Sequence, residues 1–439
     1  YRSSEADTNY CIANIKYPNR KDSIYIDSTV VANHKYYYKV TSVDYDNNES
    51  SFSDTVSIVP YWGPSWYIKK SGNDVTGIGS NQNPYKTIEQ GIEMAYSNDT
   101  LIVSPGVYNE NITFPDKQIS IISEEGPEVT TILGSGDRSV IKIVNKSDKS
   151  TLIGFKISNG ESIKGGGIYI EESSPKLSNI IIQNNQADYG GGLFLYNCNN
   201  LSLKQIIMID NKANKGGGIY SNKSTYKIKN GLIADHSNIQ KASSIFLDSS
   251  TLTIFNCTFA DNSATEYGSI YLTGSKIDTL LNTIMWNNTP SNISFNSSGN
   301  QNSLYYAYSD IQNYNNSIKS NSNATISQGT GVIDSDPNFI DPLNNNYKLE
   351  KTSPCIDAGH PGEKYKDHDK TISDIGAYYF NQALLLSIQS MDQSEYSDNI
   401  SINYEISDVA QQFGLKCQYK VDDSWKIADI EGDTSHIDP

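Results

Sequence analysis

Between about residues 138 and 295 the chain matches itself at a fixed period, and this repeat constrains the fold more than any other feature. The blocks Gly165-Gly166-Gly167-Ile168-Tyr169, Gly190-Gly191-Gly192-Leu193-Phe194, Gly216-Gly217-Gly218-Ile219-Tyr220, Ala242-Ser243-Ser244-Ile245-Phe246 and Tyr267-Gly268-Ser269-Ile270-Tyr271 follow at steps of 25, 26, 26 and 25 residues. A second column keeps the same step through Asn179, Gln205, Asn230, Asn256 and Asn282, and a third runs through Asn185, Asn211, His236, Asn262 and Asn288. Three columns in one register specify a solenoid, in which each repeat buries its faces only against its neighbours.

The residues between the columns choose which solenoid. Segments such as Asn179-Ile180-Ile181-Ile182 and Asn256-Cys257-Thr258-Phe259 are β-branched or aromatic, without helical spacing or helix caps. Each repeat therefore reads as short strands joined by turns, one coil of a right-handed parallel β-helix. Stacked coils lie about 4.8 Å apart, so aligned Asn side chains can hydrogen-bond along the stack. Glycine suits the turns because it accepts positive φ.

Composition excludes several function classes. With 439 residues, two or three domains are expected. A formal charge of −16, spread along the chain, disfavours nucleic acid and anionic membranes. Arginine stands only at positions 2, 20 and 138, and no apolar run is long enough to span a bilayer. The cysteines (Cys11, Cys198, Cys257, Cys355, Cys417) are scattered and odd in number, which reads as buried thiols rather than a disulfide framework or zinc site. The first residues read as mid-strand and the last as unterminated, so the expectation is a segment of a longer chain.

The flanks of the repeat resemble a known architecture. Trp66-Tyr67-Ile68-Lys69-Lys70-Ser71-Gly72-Asn73-Asp74, Asn83-Pro84-Tyr85-Lys86-Thr87-Ile88 and Asp99-Thr100-Leu101-Ile102-Val103-Ser104-Pro105-Gly106-Val107-Tyr108-Asn109-Glu110 look like the opening of bacterial pectate-lyase-like β-helix proteins. Residues 86–96 between them read as a capping helix. Asp336-Pro337-Asn338-Phe339, Ser353-Pro354-Cys355-Ile356-Asp357-Ala358-Gly359 and Asp374-Ile375-Gly376-Ala377-Tyr378 resemble the closing segment of the same surface proteins, the choice-of-anchor Q family. The GGGIY pattern is also similar to chlamydial polymorphic outer-membrane proteins. Residues 1–60, with Tyr36 to Asp44 as an alternating late strand, look like the C-terminal part of a fibronectin type III module. Residues 381–439, with Ile400 to Ile406 alternating, resemble the N-terminal part of a second such module. The expected fold is all-β: a right-handed parallel β-helix over 61–380, with partial immunoglobulin-like β-sandwich modules at both ends.

Such β-helices include polysaccharide lyases, so catalytic chemistry has to be looked for residue by residue. Arg138, the one arginine in the solenoid, reads as a solubilising residue rather than a lyase base. Asp210, Asp235 and Asp261 stack just before the third column, where they would raise one another's pKa, bind Ca²⁺ or simply form a turn ladder. His236 stands in an Asn column and reads as a turn hydrogen-bonder. Asp367, Asp369 and Asp374 cluster near the end of the helix and would suit a small structural Ca²⁺ site; no other cofactor is implied. Sequons at Asn111, Asn222, Asn256 and Asn323 arise readily in an Asn-rich chain.

One surface feature rises above the background. If Ile168, Leu193, Ile219, Ile245 and Ile270 point inward, alternation sends Tyr169, Phe194, Tyr220, Phe246 and Tyr271 outward, as an exposed stripe about 20 Å long. Lys164, Tyr189, Lys215 and Lys241 would form its margin. Two readings follow: a face that stacks sugars or docks a protein, or an aromatic ladder that only stabilises strand stacking. The leading expectation is a non-catalytic, modular, secreted or cell-surface protein whose β-helix is spacer and binding face for a glycan or protein partner, adhesin-like, beside other modules of the same chain. The alternatives are a lyase or glycosidase acting on acidic polysaccharide, and a structural rod.

Overall fold

The computed structural model describes residues 27, 30, 35–42, 49–58, 64–144, 149–237 and 239–382, together with the backbone of strands Arg2–Ser3, Leu385–Gln393, Ile400–Ser407, Gln418–Val421 and Ser424–Ile427. Its centre is a parallel β-solenoid. Ile168, Leu193, Ile219, Ile245, Ile270 and Ile293 pair in one parallel register across a nine-stranded sheet, and all six are fully buried. Burial of one such side chain stabilises the fold by about 2 kcal/mol, so a single inward column accounts for a large share of the core.

The other two walls belong to one sixteen-stranded sheet. Its long strands Lys176–Gln183, Asn199–Ile209, Thr225–Ala234 and Thr251–Ala260 each turn a corner midway. The corner residues Asn179, Gln205, Asn230, Asn256 and Asn282 all have φ between 49° and 54°. Asn accepts this left-handed conformation at low cost, which explains the column's composition. A five-stranded sheet (Glu161–Lys164, Gln186–Tyr189, Lys212–Lys215, Ile239–Lys241, Ala264–Glu266) then carries the chain to the glycine turn. Gly165 has φ 61°, and a Cβ there would sit 2.3 Å from the Ile168 carbonyl oxygen. Ala242 (φ 56°) and Tyr267 (φ 71°) hold left-handed turns in later blocks, so stacking imposes the geometry even where glycine is lost.

The cap falls within the expected residues: α1 (Ile88–Met94) starts at Thr87, whose hydroxyl accepts from the Gln90 N–H. Its Gly91 packs so closely that a Cβ would meet Ile68 and Leu101 at 3.0 Å. At the other end, residues 334–380 lie against the wall beyond the Asn corner. Tyr347 packs with Ile209, Leu232, Ala234 and Ala260, and Leu349, Cys355 and Ile375 pack with Ile284. Cys198, Cys257 and Cys355 are buried; Cys11 and Cys417 lie outside the described residues.

Beyond the solenoid the described pairings are antiparallel: Tyr36–Tyr38 between Arg2–Ser3 and Val56–Ile58, Leu385–Gln393 with Ile400–Ser407, and Gln418–Val421 with Ser424–Ile427. The immunoglobulin-like modules expected there fall largely outside the described residues. Among those described, no helix is long and apolar enough to cross a membrane.

Candidate functional site

The aromatic column stacks as a column but is not exposed. Tyr169, Phe194, Tyr220 and Phe246 follow ring on ring with centroids 5.3, 5.5 and 5.2 Å apart, and Tyr271 lies 5.1 Å beyond. Phe194, Tyr220, Phe246 and Tyr271 are buried and Tyr169 is half-buried, which corrects the expectation of an open stripe. The residues read as a margin are the cover. Lys164 lies over Phe194 at 5.1 Å, Lys215 over Tyr189 at 5.4 Å and Phe246 at 5.5 Å, and Lys241 over Tyr267 at 5.4 Å. Tyr189 meets Tyr220 edge-on at 5.2 Å. Each ring pair contributes about 1 kcal/mol beyond its burial, and each ammonium over a ring about 0.5–1 kcal/mol. This face is a second, outer packing layer.

The column of Asn185, Asn211, His236, Asn262 and Asn288 is also consumed internally. Asn185 Nδ2 donates to Asn211 Oδ1 at 3.0 Å, and Asn262 Nδ2 to Asn288 Oδ1 at 3.0 Å. Asn211 Nδ2 also donates to the Ile182 carbonyl, and Asn262 Nδ2 to that of Ile233. His236 joins without a break: Asn211 Nδ2 reaches its Nε2 at 3.3 Å and Asn262 Oδ1 lies 3.0 Å from its Nδ1. Only the tautomer protonated at Nδ1 satisfies both contacts. Burial pushes its pKa down to about 4, so it is neutral and closed to acid–base work. A parallel ladder that the sequence reading missed uses serine: the N–H groups of Cys198, Ser224 and Ser250 donate to Ser224, Ser250 and Ser275 Oγ.

One residue before that Asn column, the polar side chains face outward. Asn159, Asn184, Asp210, Asp235, Asp261 and Asn287 occupy equivalent corner positions with φ between 52° and 61°. Six rungs span about 24 Å. Burial and the neighbouring Asp210 and Asp261 carboxylates push the Asp235 pKa up. A pocket of about 210 Å³ lies at the first end, lined by Asp137, Asn159, Glu161, Asn184 and Gln186. At the other end Tyr347 of the closing segment donates to Asp261 Oδ2 at 2.9 Å, and beside this bond opens a cleft of about 350 Å³. Its lining combines half-buried Trp286 and Phe339 with Asp261, Asn287, Asp336, Asn338 and Glu350, and no lysine or arginine. Trp286 escaped the sequence reading because the cleft exists only once residues 336–350, well downstream in the chain, fold over it.

The expected calcium cluster resolves into backbone clasps. Asp374 accepts the Asp357 and Phe380 N–H groups, Asp367 accepts the Asp374 N–H, and Asp369 accepts those of Thr371 and Gln382. Among the described residues no group of three or more His, Cys, Asp or Glu side chains stands close enough together to hold a metal ion. Beside them Asp310 is fully buried, with the Cys355 thiol 3.2 Å from Oδ2 and the Ser335 N–H 3.1 Å from Oδ1. Burial pushes the Asp310 and Asp374 carboxyls up to about 7 and Asp367 to about 6, against the opposing pull of their backbone donors.

Residues 70–115 match the family model described as "Protein of unknown function (DUF1565)". No curated protein matches the chain. Among solved structures, the chain is similar to pectate lyase Pel9A, with 12% identity over 72% of this chain and 96% of that one, at a TM-score of 0.38. A pectin methylesterase from carrot aligns with 11% identity over 66% and 99% of the two chains, at a TM-score of 0.33. A rhamnogalacturonan lyase aligns with 10% identity over 66% and 96%, at a TM-score of 0.28.

Proposed function

We propose that this chain is a glycan-binding spacer of a secreted or cell-surface protein, and that the glycan lies along the outward polar corner and ends in the Trp286 cleft. The observation that carries this reading is the cleft itself. A half-buried indole face stands among carboxylate and amide groups in an open volume of about 350 Å³. An aromatic face for the apolar side of a sugar ring, ringed by hydrogen-bonding groups for its hydroxyls, is the chemistry a saccharide subsite needs. The six-rung corner leading to it offers nearly the same contact at each coil, which suits a linear polymer better than a small molecule.

A panel of oligosaccharides run by affinity electrophoresis tests the reading. Retention by at least one glycan, weakened about tenfold in a Trp286→Ala variant that circular dichroism shows to be folded, supports it. Retention unaffected by that variant, or none across the panel, overturns it.

Glycoside hydrolysis is a second reading, and one observation favours it: Asp235 holds a raised carboxyl pKa between two further carboxylates, the pairing a general acid requires. Release of reducing ends from a bound glycan, abolished in Asp235→Asn, would establish it in place of binding alone. A lyase acting on acidic polysaccharide has less support, because the cleft carries no basic group to neutralise a uronate.

A further inference from the structure

We infer that the cleft selects a cationic amino sugar, a hexosamine polymer carrying unacetylated amines, over neutral or uronic-acid glycans. This rests on the glycan reading above and adds the charge of the ligand to it.

The cavity and its indole wall supply a place for a ring, and the charge around them decides which ring. Asp261, Asp336 and Glu350 each line the cleft, and no lysine or arginine lines it with them. Two of the three are held in place: Asp261 accepts Tyr347 Oη at 2.9 Å and Asn287 Nδ2 at 2.5 Å, and Asp336 accepts the Asn338 N–H at 3.0 Å. Fixed carboxylates lose little conformational freedom on meeting a cation, so the pairing keeps more of its charge-assisted hydrogen-bond energy. The negative character also continues away from the cleft. Asp235 and Asp210 follow Asp261 along the corner at the coil step of about 4.8 Å, close to the length of one sugar residue in an extended chain. Burial, with the Asp210 and Asp261 carboxylates on either side adding to it, raises the Asp235 pKa, and an ammonium laid along the row relieves the part due to repulsion. A uronate meets the same field with the opposite sign and is repelled.

The aromatic column offers no such site, because Lys164 covers Phe194, Tyr189 covers Tyr220, Lys215 covers Phe246 and Tyr267 covers Tyr271.

Calorimetric titration of the full chain at pH 6 with three hexasaccharides tests the inference: glucosamine, N-acetylglucosamine and galacturonate. The expected result is glucosamine hexamer binding at least tenfold tighter than its acetylated form, with no binding of the galacturonate. Asp336→Asn with Glu350→Gln should bring the glucosamine hexamer down to the acetylated level, and raised salt should weaken it in the wild type alone. If the acetylated hexamer binds as tightly and Trp286→Ala still abolishes it, the glycan reading stands and the amino-sugar inference falls. If galacturonate binds tightest, the inference is overturned outright. Binding of none of the three defeats both.

Discussion

Two columns run side by side along this solenoid, one residue apart in every coil, and they have opposite characters. Asn185, Asn211, His236, Asn262 and Asn288 face inward, buried, and bond to one another and to backbone carbonyls. Asn184, Asp210, Asp235, Asp261 and Asn287 face outward at the left-handed corner, where Asp261 bonds Asn287 and Tyr347 and three like charges repel. The same period produces both, so repetition alone does not separate a structural ladder from a ligand track. What separates them is hydrogen-bond saturation. A saturated buried column has nothing to offer a partner, whereas an outward column with unrelieved charge does.

The largest break in this comparison comes from a third column. Replacing Tyr169, Tyr220 and Tyr271 together with Ser removes stacked rings at a cost of about 2 kcal/mol each. Chemical denaturation should show a loss of about 6 kcal/mol, and glycan affinity at the cleft should not change. Next comes Asn262→Ala in the inner ladder. It leaves the His236 N–H and Nδ1–H, and the Ile233 carbonyl, without their partner. At the lower end of the cost of an orphaned group, about 1 kcal/mol each, a loss of about 3 kcal/mol is expected in the same measurement. One residue earlier, Asp261→Asn should cost no more than about 1 kcal/mol, and Asp235→Asn should stabilise slightly by removing a repelling charge.

pH sharpens the contrast, because two buried regions titrate in opposite senses. His236 is held neutral with its pKa lowered from 6.5 to about 4, so its contribution is complete above pH 6.5 and is lost as pH falls toward 4. Asp310 and Asp374, raised from 3.8 to about 7, and Asp367, raised to about 6, act the other way. Their contribution is complete below pH 4 and is lost as pH rises through 6 to 7. Limited proteolysis should therefore cut the closing segment, residues 334–380, faster at pH 8 than at pH 5. Asp310→Asn should flatten that difference. His236→Asn, which restores the residue type of its column, should flatten the acid-side loss of the solenoid. A closing segment more resistant at pH 8 would reverse the sign and contradict the burial account of these carboxyls.

Much of the fold was legible because a solenoid converts sequence period directly into environment. Ile168, Leu193, Ile219, Ile245 and Ile270 recur at one step and are buried in one register, and the helix at Ile88–Met94 falls within the expected 86–96. Period-two alternation correctly placed Tyr220 and Phe246 outside the barrel interior. It carries no information on whether another layer covers that outside, and Lys215 and Tyr189 do. The cleft was illegible for a different reason. Its walls meet across 86 residues between Asp261 and Tyr347, with no repeat linking them. Asp367, Asp369 and Asp374 read as metal ligands because sequence shows carboxylates but not the backbone N–H groups that turn to meet them.

The claim that the ligand belongs to the corner and cleft, and not to the aromatic column, is tested most directly by one paired titration. The tightest-binding hexasaccharide is titrated calorimetrically into Trp286→Ala and into Tyr220→Ser, with both melting temperatures recorded. The account predicts at least tenfold weaker binding for Trp286→Ala in a folded protein, and wild-type affinity for Tyr220→Ser at a lowered melting temperature. Wild-type affinity in Trp286→Ala together with lost affinity in Tyr220→Ser would place the ligand on the aromatic column and contradict the account.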